Sequence, residues 1–146
     1  MYVLIAGGGK IGANLARSLL RDGHGHEVTL IEQRRDRYER LEHEFEHQVQ
    51  MGDATEIHVL DRAGIEDADA VVVATNGDNT NLVIAQVAQK RFDNQCVVVR
   101  VLDPARADFY KTLGLRTICP TQTAIETLMD AVRACEIPVK APVVSS

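Results

Sequence analysis

Short apolar runs rich in Val and Ile alternate along the chain with longer segments in which apolar residues recur every three or four positions. Six runs read as strands: Tyr2 to Ala6, Glu27 to Glu32, Gln48 to Met51, Asp69 to Ala74, Cys96 to Val101 and Arg116 to Cys119. The segments between them read as helices. Ile11, Leu15 and Leu19 share one helical face, Tyr38, Leu41 and Phe45 stripe a second helix, and Leu82, Val83, Ala85, Val87 and Ala88 make a later one broadly apolar. Runs such as VVVA and VVVRV, apolar on both faces, suit a parallel sheet covered by helices on each side. The alternation predicts an α/β fold, a Rossmann-like doubly wound parallel sheet of six strands in the order 3-2-1-4-5-6 with five connecting helices. After the sixth strand, Thr121 or Thr123 is placed to cap a helix through Ile125, Leu128, Met129 and Val132. Pro138 and Pro142 then stop regular structure, so Ile137 to Ser146 reads as a linker.

Length changes this picture by exclusion. The 146 residues are too few for a dehydrogenase with separate cofactor and substrate halves. Apolar residues at 45% and charged ones at 25% are enough for a packed core. The net charge of −5 argues against nucleic acid or anionic lipid as a broad electrostatic partner. No run approaches the roughly 18 apolar residues that a membrane span needs, and the expectation is a soluble cytoplasmic protein. Cys96, Cys119 and Cys135 form no CxxC pair, and are expected to be buried thiols in a reducing compartment.

The chemistry begins where the first strand ends. Gly7-Gly8-Gly9-Lys10-Ile11-Gly12 matches GxGxxG and opens the first helix, the setting in which that spacing binds a dinucleotide pyrophosphate. Gly7 permits the turn, Gly9 admits the phosphate to the backbone, and Gly12 lets helix and strand approach. Glu32 closes the second strand, where a carboxylate accepts the hydroxyls of an adenosine ribose and repels a 2′-phosphate. Arg34 and Arg35 follow; an arginine there can bind a 2′-phosphate, stack on adenine, or simply face solvent. Three further segments reach the same edge of the sheet: Gly52-Asp53-Ala54-Thr55, the run Ala74 to Asn79, and Arg100. Asp53 and Asp78 read equally as ligand groups or helix caps. Arg100, a charge within an apolar strand, calls for a partner such as a carboxylate or a ligand phosphate.

His43-Glu44-Phe45-Glu46-His47 is a literal HExxH. Zinc peptidase chemistry requires both histidines on one continuous helix, whereas the second helix is expected to end near Phe45 so that the third strand can begin. His24 and His26 decorate the turn after the first helix.

Taken together, GGGKIG, Glu32, GDAT at 52–55, ATNGDNTN at 74–81, RVLDP at 100–104, Leu113-Gly114 and Cys119-Pro120 resemble the regulator of potassium conductance N-terminal domain, also called TrkA-N or KTN. The resemblance implies a cytosolic gating subunit of a potassium channel or transporter, peripheral to the cytoplasmic face of the membrane. It implies a nucleotide, NAD(H) or ATP/ADP, that is sensed and not consumed. It assigns phosphate binding to Gly7, Gly8, Gly9, Lys10, Ile11 and Gly12, the ribose to Glu32, the adenine side to Asp53, Ala54 and Thr55, and the distal phosphate or nicotinamide to Thr75, Asn76 and Arg100. It further implies homodimers that build tetrameric or octameric rings. Residues 1–120 are then the nucleotide-binding domain, and 121–146 a crossover helix with a Pro-containing tail. The rivals are a small NAD-dependent oxidoreductase and a methyltransferase. The first lacks an evident proton donor, because neither Tyr38 nor Tyr110 sits at a strand end facing the crevice.

Overall fold

The six apolar runs close into one all-parallel sheet. The computed structural model describes residues 1–135, in which β1 (Tyr2–Ala6), β2 (Glu27–Glu32), β3 (Val49–Met51), β4 (Ala70–Val73), β5 (Val97–Arg100) and β6 (Arg116–Ile118) lie in the order β3-β2-β1-β4-β5-β6. The helices are α1 (Lys10–Arg21), α2 (Arg35–Phe45), α3 (Ile57–Arg62), α4 (Asp78–Gln86), α5 (Pro104–Thr112) and α6 (Pro120–Arg133). A 3-10 turn at Ile65–Asp67 leads into β4, and a π-helical turn at Val87–Arg91 extends α4.

Side chains of the central strand alternate between two cores, as the pleat requires. Val3 and Ile5 pack with Ala13 and Ala16 of α1 and Leu41 and Phe45 of α2, whereas Leu4 and Ala6 pack with Leu60, Ile84 and Tyr110 from α3, α4 and α5. Leu4 and Ile5 are both fully buried. Each such side chain contributes about 1.5–3 kcal/mol relative to exposure, which is why the central strand is apolar on both faces. The register matters for function: Ala6 pairs with Ile31 on one side and Val73 on the other, so β1, β2 and β4 end together. The chain reverses order on either side of β1, and the loops that leave this edge enclose a crevice at the switch point.

Four expectations need correction. Ile11 does not face the sheet: it is 43% exposed, and α1 instead buries Gly12, Ala13 and Ala16, with Leu15 and Leu19 only half-buried. The helix is rotated so that its smallest residues sit against β1, a choice that hydrophobic periodicity does not register. Neither Thr121 nor Thr123 caps the last helix; Cys119 is the N-cap and Pro120 occupies the first helical position, where its missing N–H would have had no partner. The thiols also differ from one another, Cys119 being buried, Cys96 half-buried and Cys135 exposed. Asp53 caps no helix, since α3 begins only after Glu56. The expected linker at 137–146 lies outside the described residues. No described helix is long and apolar enough to cross a membrane.

Candidate functional site

The glycine loop is held by contacts that only glycine allows at two of its positions. Gly7 has φ +108°, its amide donates to the Ile31 carbonyl at 2.9 Å, and a Cβ on it would lie 2.6 Å from the Ala74 carbonyl oxygen. A Cβ on Gly12 would lie 1.8 Å from the Gly7 carbonyl oxygen, closer than any atoms can approach. Gly9 is different. Its backbone is extended at φ −72° and ψ −166°, and the nearest atom to a Cβ there would be Arg37 Nη1 at 3.6 Å. Nothing inside the protein asks for glycine at this position, so the free space above it is a cradle that a Cβ would fill. Ala13 is the first donor of the α1 ladder, bonding the Gly9 carbonyl at 2.9 Å, and no side chain caps the helix. The amides of Lys10, Ile11 and Gly12 therefore precede the ladder at the positive end of the α1 dipole.

Glu32 faces this loop across the crevice. It is 5% exposed; Oε2 accepts from the Gln33 amide at 2.8 Å, and Oε1 accepts from Arg37 Nη1 at 3.0 Å. These bonds fix the carboxylate and leave acceptor capacity on Oε1 for a hydroxyl donor. Arg34 lines the crevice with its guanidinium paired to Asp36 at 2.8 Å, whereas Arg35 begins α2 and faces solvent.

The loops after β3 and β4 are braced by their own polar groups. Asp53 Oδ1 accepts from the Thr55 amide at 2.9 Å and the Thr55 hydroxyl at 2.7 Å, an Asx turn. Asp78 caps no helix and does not line the crevice: its carboxylate accepts from the amides of Leu102 at 2.8 Å and Asp103 at 3.1 Å, joining the loops after β4 and β5. Asn81, fully buried in α4, accepts from the Thr75 amide at 3.1 Å and from its hydroxyl, and donates to the carbonyls of Thr75 at 3.1 Å and Arg100 at 2.9 Å. Arg100, half-buried, pairs with no carboxylate among the described residues: Nη2 donates to the Thr75 carbonyl and the buried Nε has no partner there. In the strand it braces the loop after β4, because that carbonyl is the acceptor within reach.

The result is a cavity of about 250 Å³ at the carboxyl edge of the sheet. Of the expected residues, Gly7, Gly9, Glu32, Asp53, Ala54, Thr75 and Asn76 line it. Gly8 and Lys10 instead line a second cavity of about 350 Å³ between α1 and α2, which shares Gly9 and Arg37 with the first. Ile11, Gly12, Thr55 and Arg100 line neither. Sequence reasoning missed Arg37 and Asn81. A cation in the first turn of a helix opposes the dipole and signals an acidic partner nearby, but Arg34, Arg35, Arg37 and Arg40 compete for that reading. The HExxH residues do not share a helix, since α2 ends at Phe45 and His47 lies beyond it at φ +57°.

The family described as TrkA-N domain matches residues 3–120. The chain belongs to the TrkA-N domain family. Among relatives, this TrkA-N chain is 32% identical over 129 residues to the Trk system potassium uptake protein TrkA of Streptomyces coelicolor, covering 88% of this chain and 57% of that protein. It is 35% identical over 125 residues to the Trk system potassium uptake protein TrkA homolog of Methanothermobacter thermautotrophicus, covering 85% and 56%. The chain thus spans little more than half the length of these two relatives. Among solved structures, it superposes on the Shewanella denitrificans Kef CTD in AMP-bound form with a TM-score of 0.74 at 25% identity, covering 91% of this chain and 80% of that one.

Proposed function

We propose that this TrkA-N chain is a nucleotide-sensing regulatory domain of a potassium uptake system, acting beside a membrane potassium channel or transporter subunit at the cytoplasmic face. The observation that carries the reading is Gly9, a glycine that the fold does not require, set at the free amides of α1 and opposite Glu32. The named TrkA relatives and the AMP-bound Kef domain support it.

A bound nucleotide such as NAD(H), ATP or ADP would supply a phosphate chain and an adenosine ribose, and no reacting bond. Gly7, Gly8, Gly9, Lys10, Ile11 and Gly12 would hold the phosphates through backbone amides and the Lys10 charge. Glu32 would take the ribose hydroxyls, Asp53, Ala54 and Thr55 would flank the adenine, and Thr75 and Asn76 would meet the distal portion. Arg100 acts on that end through the Thr75 carbonyl. Residues 1–120 form the sensing domain in this reading, and 121–146 begin the connection to the rest of the assembly. In α6, Ile125, Leu128, Met129 and Val132 are 45%, 65%, 47% and 70% exposed, an apolar face suited to a second copy of the chain. The family resemblance implies homodimers and rings of four or eight, and this face would serve as the contact between copies. Nucleotide shifts the angle between paired domains only if it binds one arrangement more tightly than the other.

The oxidoreductase alternative has little to work with at the crevice. The Tyr110 hydroxyl donates to the Asp78 carbonyl at 2.9 Å, and burial, then the Asp78 charge, pushes its pKa above the ordinary value. Neither Tyr110 nor Tyr38 lines the cavity. Calorimetric titration with NADH, NAD, ATP and ADP, with Glu32→Ala alongside, tests the proposal. Binding that weakens in Glu32→Ala is expected. Absence of binding below about millimolar would end the sensing reading, and turnover of reduced cofactor would favour the alternative.

A further inference from the structure

The turn between α1 and β2 carries metal-ligating chemistry at three of five positions, Asp22-Gly23-His24-Gly25-His26. Asp22 is the C-cap of α1, and Gly23 and Gly25, at φ +79° and +68°, fold the chain back twice within three residues. This brings both imidazoles to one carboxylate: Asp22 Oδ1 lies 3.3 Å from His24 Nδ1, and Asp22 Oδ2 lies 2.9 Å from His26 Nε2. One ligand atom from each residue lies within 4.8 Å of the other two. A tetrahedral site with bonds of about 2.0–2.1 Å has ligand-to-ligand edges of about 3.3–3.4 Å, so small rotations of the Asp22 carboxylate and the exposed His24 ring would bring the three ligand atoms to a shared ion. Two further features favour a cation. The turn sits at the negative end of the α1 dipole. The His26 side chain is only 12% exposed and its Nδ1 lies 3.3 Å from the N-terminal amine, which holds the ring with Nε2 towards Asp22.

We propose that Asp22, His24 and His26 bind a divalent transition-metal ion, zinc being the best match. Two imidazoles and a carboxylate select such an ion over magnesium or calcium, which prefer all-oxygen sets. Water completes the fourth position. The site lies at the opposite end of α1 from the glycine loop, about 18 Å away at 1.5 Å per residue, and is independent of the nucleotide reading. Because metal bridges the end of α1 to the start of β2 only in the folded chain, it stabilises the domain as its concentration rises.

Calorimetric titration of the metal-free chain with zinc chloride tests this, using His24→Ala/His26→Ala and His43→Ala/His47→Ala double variants. One zinc ion per chain at about micromolar affinity is expected, weakened at least about tenfold in the first variant and unchanged in the second. His24→Ala alone, whose side chain is 77% exposed and carries no fold, weakens binding too and keeps the test readable should His26→Ala impair folding. Binding that survives loss of His24 and His26, binding that depends on His43 and His47, or saturation only at millimolar zinc overturns the proposal.

Discussion

Asn81→Ala removes a buried side chain that ties the loop after β4 to the end of β5. Four hydrogen bonds are lost, two to each side of the amide. At about 0.5–1.5 kcal/mol net apiece the upper limit is about 6 kcal/mol. The Thr75 groups border the crevice, so water entering there recovers part of this, and the Thr75 carbonyl keeps its bond from Arg100. The Arg100 carbonyl loses its Asn81 donor, and an unsatisfied buried acceptor alone costs about 1–3 kcal/mol. The expected loss is therefore about 2–4 kcal/mol. Urea unfolding followed by circular dichroism reads it as a midpoint lowered by about 1–2 M at an m-value typical of small domains. Asn79→Ala is the control: Asn79 is exposed and accepts only from Arg106 Nη1 at 2.9 Å, so its effect stays within about 0.5 kcal/mol. A loss below about 1 kcal/mol for Asn81→Ala, or equal losses for the two variants, would refute the bracing role.

Two other outcomes follow from the same geometry. Gly12→Ala sets a methyl group 1.8 Å from the Gly7 carbonyl oxygen and forces α1 off β1, so the variant is expected to lose well over about 3 kcal/mol or to accumulate as insoluble protein; an unchanged thermal midpoint would contradict this. The carboxyls of Asp22, Asp36 and Glu44 lie below their ordinary range, held there chiefly by the His24 amide, Arg34 and Arg17 respectively. Because the folded pKa values are depressed, their contribution is fully present above about pH 5 and fades as pH falls through the folded values; with all three groups exposed and screened by solvent, stability measured from pH 6 to pH 3 should show a small decline beginning below about pH 5.

Much of the fold was legible because parallel strands buried on both faces must be apolar throughout, and VVVA and VVVRV are. Strand order followed from the alternation of elements. The rotation of α1 was not legible, because the contact that sets it is between Gly12 and Gly7, and small residues leave no hydrophobic stripe. The start of α6 was misplaced for a related reason: hydroxyl capping is a stronger written signal than Pro120 at the first position, yet the proline ring presets the backbone there. In the crevice, Gly7 and Gly12 answer to backbone contacts of the turn, and their spacing could be read directly. The amide that Asp78 meets at Leu102, the Arg100 carbonyl that Asn81 meets and the Thr75 carbonyl that Arg100 meets lie 19 to 25 residues away, and no local pattern encodes which backbone group will stand opposite them.

The central claim is that the space above Gly9 belongs to a nucleotide phosphate. The direct measurement is calorimetric titration of wild type and Gly9→Ala with ADP, alongside the thermal midpoint of each. With the nearest atom 3.6 Å from the new Cβ and an ordinary backbone conformation, the variant should keep its midpoint and lose at least about tenfold in ADP affinity. A Gly9→Ala protein that binds ADP as tightly as wild type would contradict the account.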